Sequence, residues 1–166
     1  MGKADDLPPC PPEYTPEEWA EYHRDPCGWC IKELRNPDPE VRCNAADILR
    51  GLAWDAVAAI PALIEGCRDP DEQVRAYCVH ALVDIGHAVH RRVPAALPAL
   101  AAAVPVLTAS LADESAEVRC LAAHALGAVG AAAAPAAAKL RALLGDSDEE
   151  LREAAASALK QIGAAD

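Results

Sequence analysis

Phenylalanine is missing from this 166-residue chain, and aromatic residues make up only 4% of it. Hydrophobic residues nevertheless make up 52%, which is ample for a core, and most of them are Ala, Leu and Val. Alanine is the best helix former and lets helix axes approach closely. Runs of β-branched residues alternating with polar ones are also missing, which argues against β-sheet. The composition therefore predicts an all-α protein.

Long uninterrupted apolar runs are scarce as well. The longest apolar stretch, residues 95–111, is broken by Pro98, Pro105, Thr108 and Ser110. A membrane-spanning helix needs about 20 predominantly apolar residues, so this stretch is too short and too broken. Residues 1–12 are polar and rich in proline, unlike a signal segment. We therefore predict a soluble, cytoplasmic protein without a membrane partner.

Basic residues are few, since 15 Lys and Arg face 26 Asp and Glu, for a formal net charge of −11. Nucleic acids need Lys or Arg to neutralise phosphates, so a nucleic-acid partner is excluded. An acidic surface instead favours a protein partner with a basic surface. The seven cysteines are an odd number without the spacing of a small disulfide scaffold. They are predicted to be reduced, intracellular thiols that mostly fill the core.

Four segments of the chain repeat without gaps: residues 36–53, 69–86, 113–130 and 146–163. Each contains a hydrophobic residue followed by Arg, and the separations of these pairs are 33, 44 and 33 residues. The pairs are Val41-Arg42, Val74-Arg75, Val118-Arg119 and Leu151-Arg152. The middle interval therefore carries an 11-residue insertion, between Gly86 and Leu107.

Each segment is predicted to be the second helix of a hairpin. Its opening Asn or Asp, followed by acidic residues, predicts a capped helix N-terminus. Apolar residues then recur at helical spacing, and Gly86, Gly130 and Gly163 are predicted to end the helices. Apolar helices are predicted before the segments, at residues 56–67, 94–111 and 135–144. Neither helix can bury its apolar face alone, so the hairpins are predicted to stack into a solenoid.

The repeats resemble the HEAT-like repeat family, particularly its bacterial phycobilin-lyase type with the pattern D-x-x-x-x-V-R-x-x-A-A-x-A-L-G. The resemblance covers residues 31–163 and implies a right-handed α-solenoid of about four helical hairpins with an N-terminal capping helix. We expect a flexible Pro-rich tail at 1–15, the capping helix and a Cys-x2-Cys segment at 16–30, and the repeat array at 31–166. The resemblance also implies a hydrogen-bonded ladder between repeats, formed by Asp69, Asp113, Asp146, Arg75, Arg119 and Arg152. Asn36 departs from the Asp pattern at the first rung.

One helical stripe is predicted to face away from the core, at positions three, six and ten residues after the hydrophobic residue of each pair. In arrays of this family the second helix usually lines the concave surface, so we predict a partner-binding stripe there. The residues of this stripe are Asn44, Asp47, Tyr77, His80, Asp84, Leu121, His124 and Gln161. An ordinary solvated surface is one alternative. A zinc or iron site formed by Asp47, His80, Asp84 and His124 is another.

The insertion contains a local basic cluster, followed by Pro94. The cluster consists of His87, His90, Arg91 and Arg92. We predict a surface loop here, either solvated or used for recognition, because loops on a rigid scaffold often carry specificity.

The N-terminal segment departs from the repeat. Thr15 with Glu18 predicts a capping box and a short helix that runs to about Arg24. Aromatic residues are concentrated in this segment and are predicted to cap the first repeat, with a partner-binding patch as the alternative. They are Tyr14, Trp19, Tyr22 and Trp29.

His23, Cys27 and Cys30 form a weak zinc-binding pattern, for which Cys10 would supply a fourth ligand. The sequence Cys27-Gly28-Trp29-Cys30 resembles the dithiol motif of thioredoxin-like oxidoreductases, whose first cysteine has a lowered pKa. No βαβ pattern surrounds it, so ordinary unpaired thiols are favoured.

The function predicted from the sequence is a non-catalytic protein–protein interaction scaffold that needs no cofactor. Deoxyhypusine hydroxylases resemble this repeat pattern but carry His-Glu pairs, whereas His80 and His124 are each followed by Ala. No nucleophile-base pair or nucleotide-binding motif is found. The alternative is a phycobilin-lyase-like accessory or metal-binding protein. A consensus-like repeat close to the C-terminus also predicts self-association through that repeat.

Overall fold

The computed structural model describes residues 15–164, and this part of the chain is helical without any β-strand. Its α-helices are α1 (Pro16–Arg24), α2 (Pro26–Glu33), α3 (Pro39–Leu52), α4 (Ile60–Gly66), α5 (Glu72–Arg92), α6 (Leu97–Ala101), α7 (Val104–Ser110), α8 (Ala116–Val129), α9 (Ala137–Leu143) and α10 (Glu149–Gln161). Short 3-10 helices cover Ala53–Ala59, Pro94–Ala96 and Gly130–Ala136. The predicted Pro-rich tail lies outside the described residues.

The helices form two layers. In one layer α3, α5, α8 and α10 pack side by side in chain order. The other layer contains α2, α4, α6, α7 and α9 together with the 3-10 helices. Each helix of the first layer packs against a helix that precedes it in the chain: α2 against α3, α4 against α5, α7 against α8 and α9 against α10. The predicted α-solenoid of four helical hairpins is confirmed.

The core runs between the two layers and consists mainly of Leu, Val and Ala. Leu49, Leu82 and Leu126 are fully buried, and they occupy equivalent places in α3, α5 and α8. Alanines such as Ala45 and Ala122 are also fully buried, and their small side chains let neighbouring helices approach. Replacing a fully buried leucine by alanine in such a core costs about 2–5 kcal/mol.

The helix N-termini are where the sequence predicts them, but the capping residue differs. The caps of α3, α5 and α10 are Asp38, Asp71 and Asp148, whose carboxylates accept hydrogen bonds from first-turn amides. The opening residue of each segment lies two positions earlier and accepts a hydrogen bond from the amide of the cap position. The Asp69 carboxylate, for example, accepts from the Asp71 amide at 2.9 Å. The opening residue therefore shapes the turn before the helix.

Two of the three predicted helix-ending glycines are confirmed. Gly130 and Gly163 adopt φ of 74° and 78°, a left-handed conformation that glycine tolerates without strain. The prediction for Gly86 is wrong, because α5 continues through it to Arg92. A Cβ at Gly86 would lie 3.0 Å from the Ala128 Cβ, so this glycine allows α5 to pack closely on α8. The predicted loop at residues 87–92 is consequently helical.

Within the described residues, Ala116–Leu143 is long and apolar enough to cross a membrane by length and composition alone, with a mean hydropathy of 1.5 over its most apolar window. However, 61% of that window is buried inside the protein. The run also contains two separate α-helices, α8 and α9, and the backbone of Gly130 between them has a positive φ. Its apolar character is therefore explained by the solenoid core.

The N-terminal helices place an aromatic cluster at the start of the array. The predicted capping box is confirmed, since the Glu18 amide donates to the Thr15 hydroxyl and the Thr15 amide donates to the Glu18 carboxylate. Trp29 of α2 is buried in the core, and the Tyr22 ring contacts it edge-on at 5.5 Å between centroids. Trp19 and Tyr22, which are both in α1, stack on each other, and Trp19 is partly exposed.

Candidate protein-binding surface

The layer formed by α3, α5, α8 and α10 carries every residue of the predicted stripe. Asn44, His124 and Gln161 are exposed, whereas the other five stripe residues are half-buried. At the equivalent positions of other repeats, Ala128 and Ala154 are buried. The stripe is therefore accessible along its length, and small residues interrupt it on α8 and α10.

Three clefts lie along this stripe, and together they contain five of its eight predicted residues. The N-terminal cleft, of about 470 Å³, is lined by Glu18, Trp29, Glu33, Asn36, Asp38, Glu40, Val41 and Asn44. The central cleft, of about 250 Å³, is lined by Arg50, Gln73, Ala76, Tyr77, His80, Glu117 and Leu121. The C-terminal cleft, of about 480 Å³, is lined by Cys120, His124, Glu150, Glu153, Ala154 and Ser157. Successive repeats thus contribute to successive clefts.

One position that the sequence analysis missed lines all three clefts. It is the residue just before the hydrophobic-Arg pair, which lies four residues before the first stripe position and hence on the same helix face. Its occupants are Glu40, Gln73, Glu117 and Glu150. The helical spacing that defines the stripe also predicts this position, because it lies one turn before the first stripe residue on the same face.

The clefts taken together are acidic, although the central cleft has one carboxylate, Glu117, and one arginine, Arg50. Seven carboxylate side chains line them: Glu18, Glu33, Asp38, Glu40, Glu117, Glu150 and Glu153. Among the described lining residues Arg50 is the one permanent cation, and its guanidinium lies 2.7 Å from the Asp47 carboxylate. Clefts lined mainly by charges of one sign attract ligands of the opposite sign. The stripe is therefore suited to a cationic ligand.

The ladder residues join neighbouring repeats. Arg42 donates two hydrogen bonds to the Asp69 carboxylate, both at 2.8 Å. Arg75 donates to the Asp113 carboxylate at 2.9 and 3.0 Å and to Glu114 at 3.0 Å. Burial would raise the pKa of the Asp113 carboxyl, but hydrogen bonds from Arg75 and the Ser115 amide lower it below its ordinary value. Each rung thus joins the arginine of one repeat to the aspartate of the next.

The implied third rung does not form within residues 15–164. Arg119 donates to the carbonyls of Asp113 and Glu114 in its own repeat, and no hydrogen bond joins it to the Asp146 carboxylate. Arg152 makes the equivalent carbonyl contacts within the fourth repeat. Each rung joins an arginine to the aspartate of the following repeat. Asn36 lies in the first of the four repeats, so none of their arginines pairs with it. Its amide side chain instead binds Glu33 and the Asp38 amide.

A family model described as HEAT repeats matches residues 29–104 and 104–166. The chain belongs to the HEAT repeat family. No curated protein matches it. The family match covers all of α3 to α10, so the stripe and the ladder both belong to the HEAT array.

Solved structures similar to this HEAT array include designed proteins. One engineered protein has a TM-score of 0.74 and 26% identity, and the match covers 89% of this chain and 66% of that one. A second engineered protein has a TM-score of 0.73 and 26% identity, with 90% of this chain and 40% of that one covered. The chain therefore spans less than two thirds of the length of either. A designed armadillo repeat protein in complex with peptide (KR)4 has a TM-score of 0.73 at 20% identity, covering 88% of this chain and 68% of that one.

The HEAT fold does not gather the histidines that the metal alternatives require. His80 lines the central cleft, whereas His124 lines the C-terminal cleft. The ring of His23 bonds the Trp19 carbonyl oxygen through Nδ1 at 3.0 Å. No three His, Cys, Asp or Glu side chains within residues 15–164 are placed to hold a metal ion. Cys10, the suggested fourth ligand, lies outside that range.

The cysteines of the array lack the properties of reactive thiols. The six described cysteines are all free. Burial raises the pKa of the Cys30 and Cys67 thiols to about 12. The pKa of Cys27 is also raised, first by burial and then by the Asp25 carboxylate, which caps α2. The lowered pKa that a dithiol motif would need at Cys27 is therefore not found.

Proposed function

We propose that this chain is a non-catalytic scaffold that binds a basic segment of another protein along the stripe. HEAT repeats are a fold that is typically non-catalytic, and similar designed repeat proteins bind peptides. The observation that carries the proposal is the row of three clefts on α3, α5, α8 and α10, whose lining residues include seven carboxylates and one arginine. A cytoplasmic location belongs to the same proposal, supported by the free thiols.

Lysine and arginine side chains of the partner fit these clefts in two ways. Their charged heads lie near carboxylates such as Glu117 and Glu150, and their methylene stems pack on apolar side chains. The central cleft offers Tyr77 and Leu121 for that purpose, both of them half-buried. Tyr77 also offers a ring face for a cation. The ligand chemistry is thus an extended segment with several basic residues.

The first test measures binding of fluorescein-labelled peptide (KR)4 by fluorescence anisotropy. We expect Glu117→Gln/Glu150→Gln to weaken binding about fivefold, because each exposed ion pair contributes about 0.2–1 kcal/mol. The matched control is Glu72→Gln/Glu149→Gln, which removes two carboxylates from the first turns of α5 and α10 outside the clefts. The control should change affinity less than twofold.

A second pair of variants tests the apolar part of the surface. Tyr77→Ala/His80→Ala should weaken binding of the same peptide about tenfold while helicity by circular dichroism is kept. Trp54→Ala removes a larger exposed ring from outside the clefts and should leave binding unchanged. Equal effects of the cleft variants and their controls, or no binding of (KR)4 at all, would refute the proposal.

A further inference from the structure

Helix α5 is longer than its neighbours in the layer, and the extra part is basic. It has 21 residues, against 14 in α3, 14 in α8 and 13 in α10. Residues 87–92, here called the α5 spur, extend the helix past the Gly86 position at which the repeat pattern predicts its end. Four exposed side chains of the spur are basic or titratable: His87, His90, Arg91 and Arg92.

The α5 spur is fixed in position by packing. Ala88 and Val89 are buried, so the spur rests on the core by one face. The His90 Nδ1 is 3.1 Å from the Gly86 carbonyl oxygen, to which it donates. The His90 ring also lies against Gly130, where a Cβ would be 3.1 Å from Nε2. The spur therefore presents its charges in a fixed place.

The positive charges of the spur are not paired with carboxylates of the described residues. Arg91 and Arg92 form no ion pair with any side chain in residues 15–164. Cations in a last helical turn are favoured by the helix dipole, by about 0.3–1 kcal/mol each. That benefit explains why basic residues are tolerated there. It leaves the guanidinium groups available to a ligand.

The stripe continues along α5 into the spur. Residues of α5 spaced by three or four positions share one face: Gln73, Tyr77, His80, Asp84, His87 and Arg91. From His80 in the central cleft to Arg91 the helix rises about 16 Å, at about 1.5 Å per residue. An extended peptide covers that distance with about five residues. One ligand can therefore reach both the central cleft and the spur.

We propose that the α5 spur binds an anionic side chain of the same segment whose basic residues occupy the clefts. The anion is a carboxylate or a phosphate, and it fixes the direction in which the segment lies. This inference rests on the proposed function. With a net charge of −11, the protein repels a wholly acidic partner. A segment that is mainly basic, with an anion about five residues from its basic part, is attracted by both the clefts and the spur.

The test compares fluorescein-labelled peptides that contain (KR)4, a four-residue Gly-Ser spacer and a terminal residue pair. The pair is Glu-Glu, Gln-Gln or two phosphoserines, placed at either the N-terminal or the C-terminal end. We expect Glu-Glu at one end only to bind about fivefold more tightly than Gln-Gln at that end. Phosphoserine carries nearly twice the charge of glutamate, so charge alone gives a gain of up to about 25-fold. A gain above that assigns the anion as phosphate, whereas a smaller gain assigns it as carboxylate.

The variant Arg91→Ala/Arg92→Ala should abolish this preference and bind (KR)4 itself as tightly as the parent does. Its matched control, Arg68→Ala/Arg141→Ala, removes two exposed cations from just after α4 and from α9 and should keep the preference. Equal binding of the Glu-Glu and Gln-Gln peptides, equal gains at both ends, or a preference that survives in Arg91→Ala/Arg92→Ala would overturn the inference alone. Failure of every peptide to bind would overturn it together with the proposed function.

Discussion

At the scale of single residues, the arginine of the hydrophobic-Arg pair has two separate roles. Its Nη1 binds two carbonyls of its own repeat in all four repeats. Its remaining nitrogens reach the next repeat only from Arg42 and Arg75. Arg75 therefore differs from Arg119 in its ion pairs across the repeat boundary, with Asp113 and Glu114.

This difference predicts unequal costs for the same substitution. Arg75→Ala should lower the free energy of unfolding by about 3–5 kcal/mol, because it removes both the carbonyl hydrogen bonds of its own repeat and the charged hydrogen bonds to the half-buried Asp113. Arg119→Ala should cost about 1–2 kcal/mol, since it removes only the hydrogen bonds to the carbonyls of its own repeat. Urea unfolding followed by circular dichroism measures both values. Equal costs would show that the bond between repeats adds no stability.

The sequence predicted which residues form the ladder but not which rungs form. Asp69, Asp113 and Asp146 occupy the same repeat position, and their local turns are alike. Whether an arginine reaches the next aspartate depends on the offset between adjacent hairpins. The third interval has the same 33-residue length as the first, so chain length does not distinguish the rung that forms from the one that is missing.

At the scale of a helix, α5 shows why one boundary was predicted wrongly. Gly130 and Gly163 end or follow helices in the left-handed conformation, whereas Gly86 stands inside α5. Glycine serves two physical needs, positive φ and close approach, and a single sequence does not tell them apart. The helices α3, α8 and α10 could be predicted, because capping signals and apolar periodicity agree there. The single helix predicted at residues 94–111 is wrong, since the structure divides this stretch into a 3-10 helix, α6 and α7.

The packing role of Gly86 predicts a destabilising glycine-to-alanine substitution. Gly86→Ala should lower the free energy of unfolding by about 1–3 kcal/mol, because the new Cβ would lie 3.0 Å from the Ala128 Cβ and 3.2 Å from its carbonyl oxygen. Gly51→Ala in α3 is the control, since nothing lies within 4 Å of a Cβ there. It should stabilise the protein by about 0.5–1 kcal/mol. Thermal unfolding shows whether each variant is stabilised or destabilised. A stabilised Gly86→Ala variant would contradict the packing role.

At the scale of the whole molecule, the stripe could be predicted and its clefts could not. Stripe positions follow from helical geometry alone, so Tyr77, His80 and Leu121 were found from their spacing. Cleft volume depends on how far apart α3, α5, α8 and α10 lie, which the sequence of one helix does not state. The acidic N-terminal cleft also needs Glu18 from α1, which precedes the repeats. The sequence predicts a loop at residues 87–92, so it does not predict the spur.

The uneven ladder predicts uneven opening along the array. Stability in a repeat protein is the sum of repeat terms and nearest-neighbour terms. The Arg42–Asp69 rung joins the first two repeats, whereas the boundary before the fourth repeat has no such rung among the described residues. Native-state hydrogen exchange should therefore be slowest in α5 and α8, faster in α10 than in α3, and fastest in α1, which has no buried residue.

A matched pair of aspartate variants separates the rung from the local turn. In both Asp69→Ala and Asp146→Ala the carboxylate that accepts a hydrogen bond from the amide two residues later is lost. Only Asp69→Ala also removes an ion pair between repeats. Exchange in α3 should accelerate about tenfold or more in Asp69→Ala, because Arg42 loses its carboxylate. Exchange in α10 should change less in Asp146→Ala, since only the turn is weakened. If α10 exchanged as slowly as α3 in the parent protein, the missing rung would have no effect on local opening.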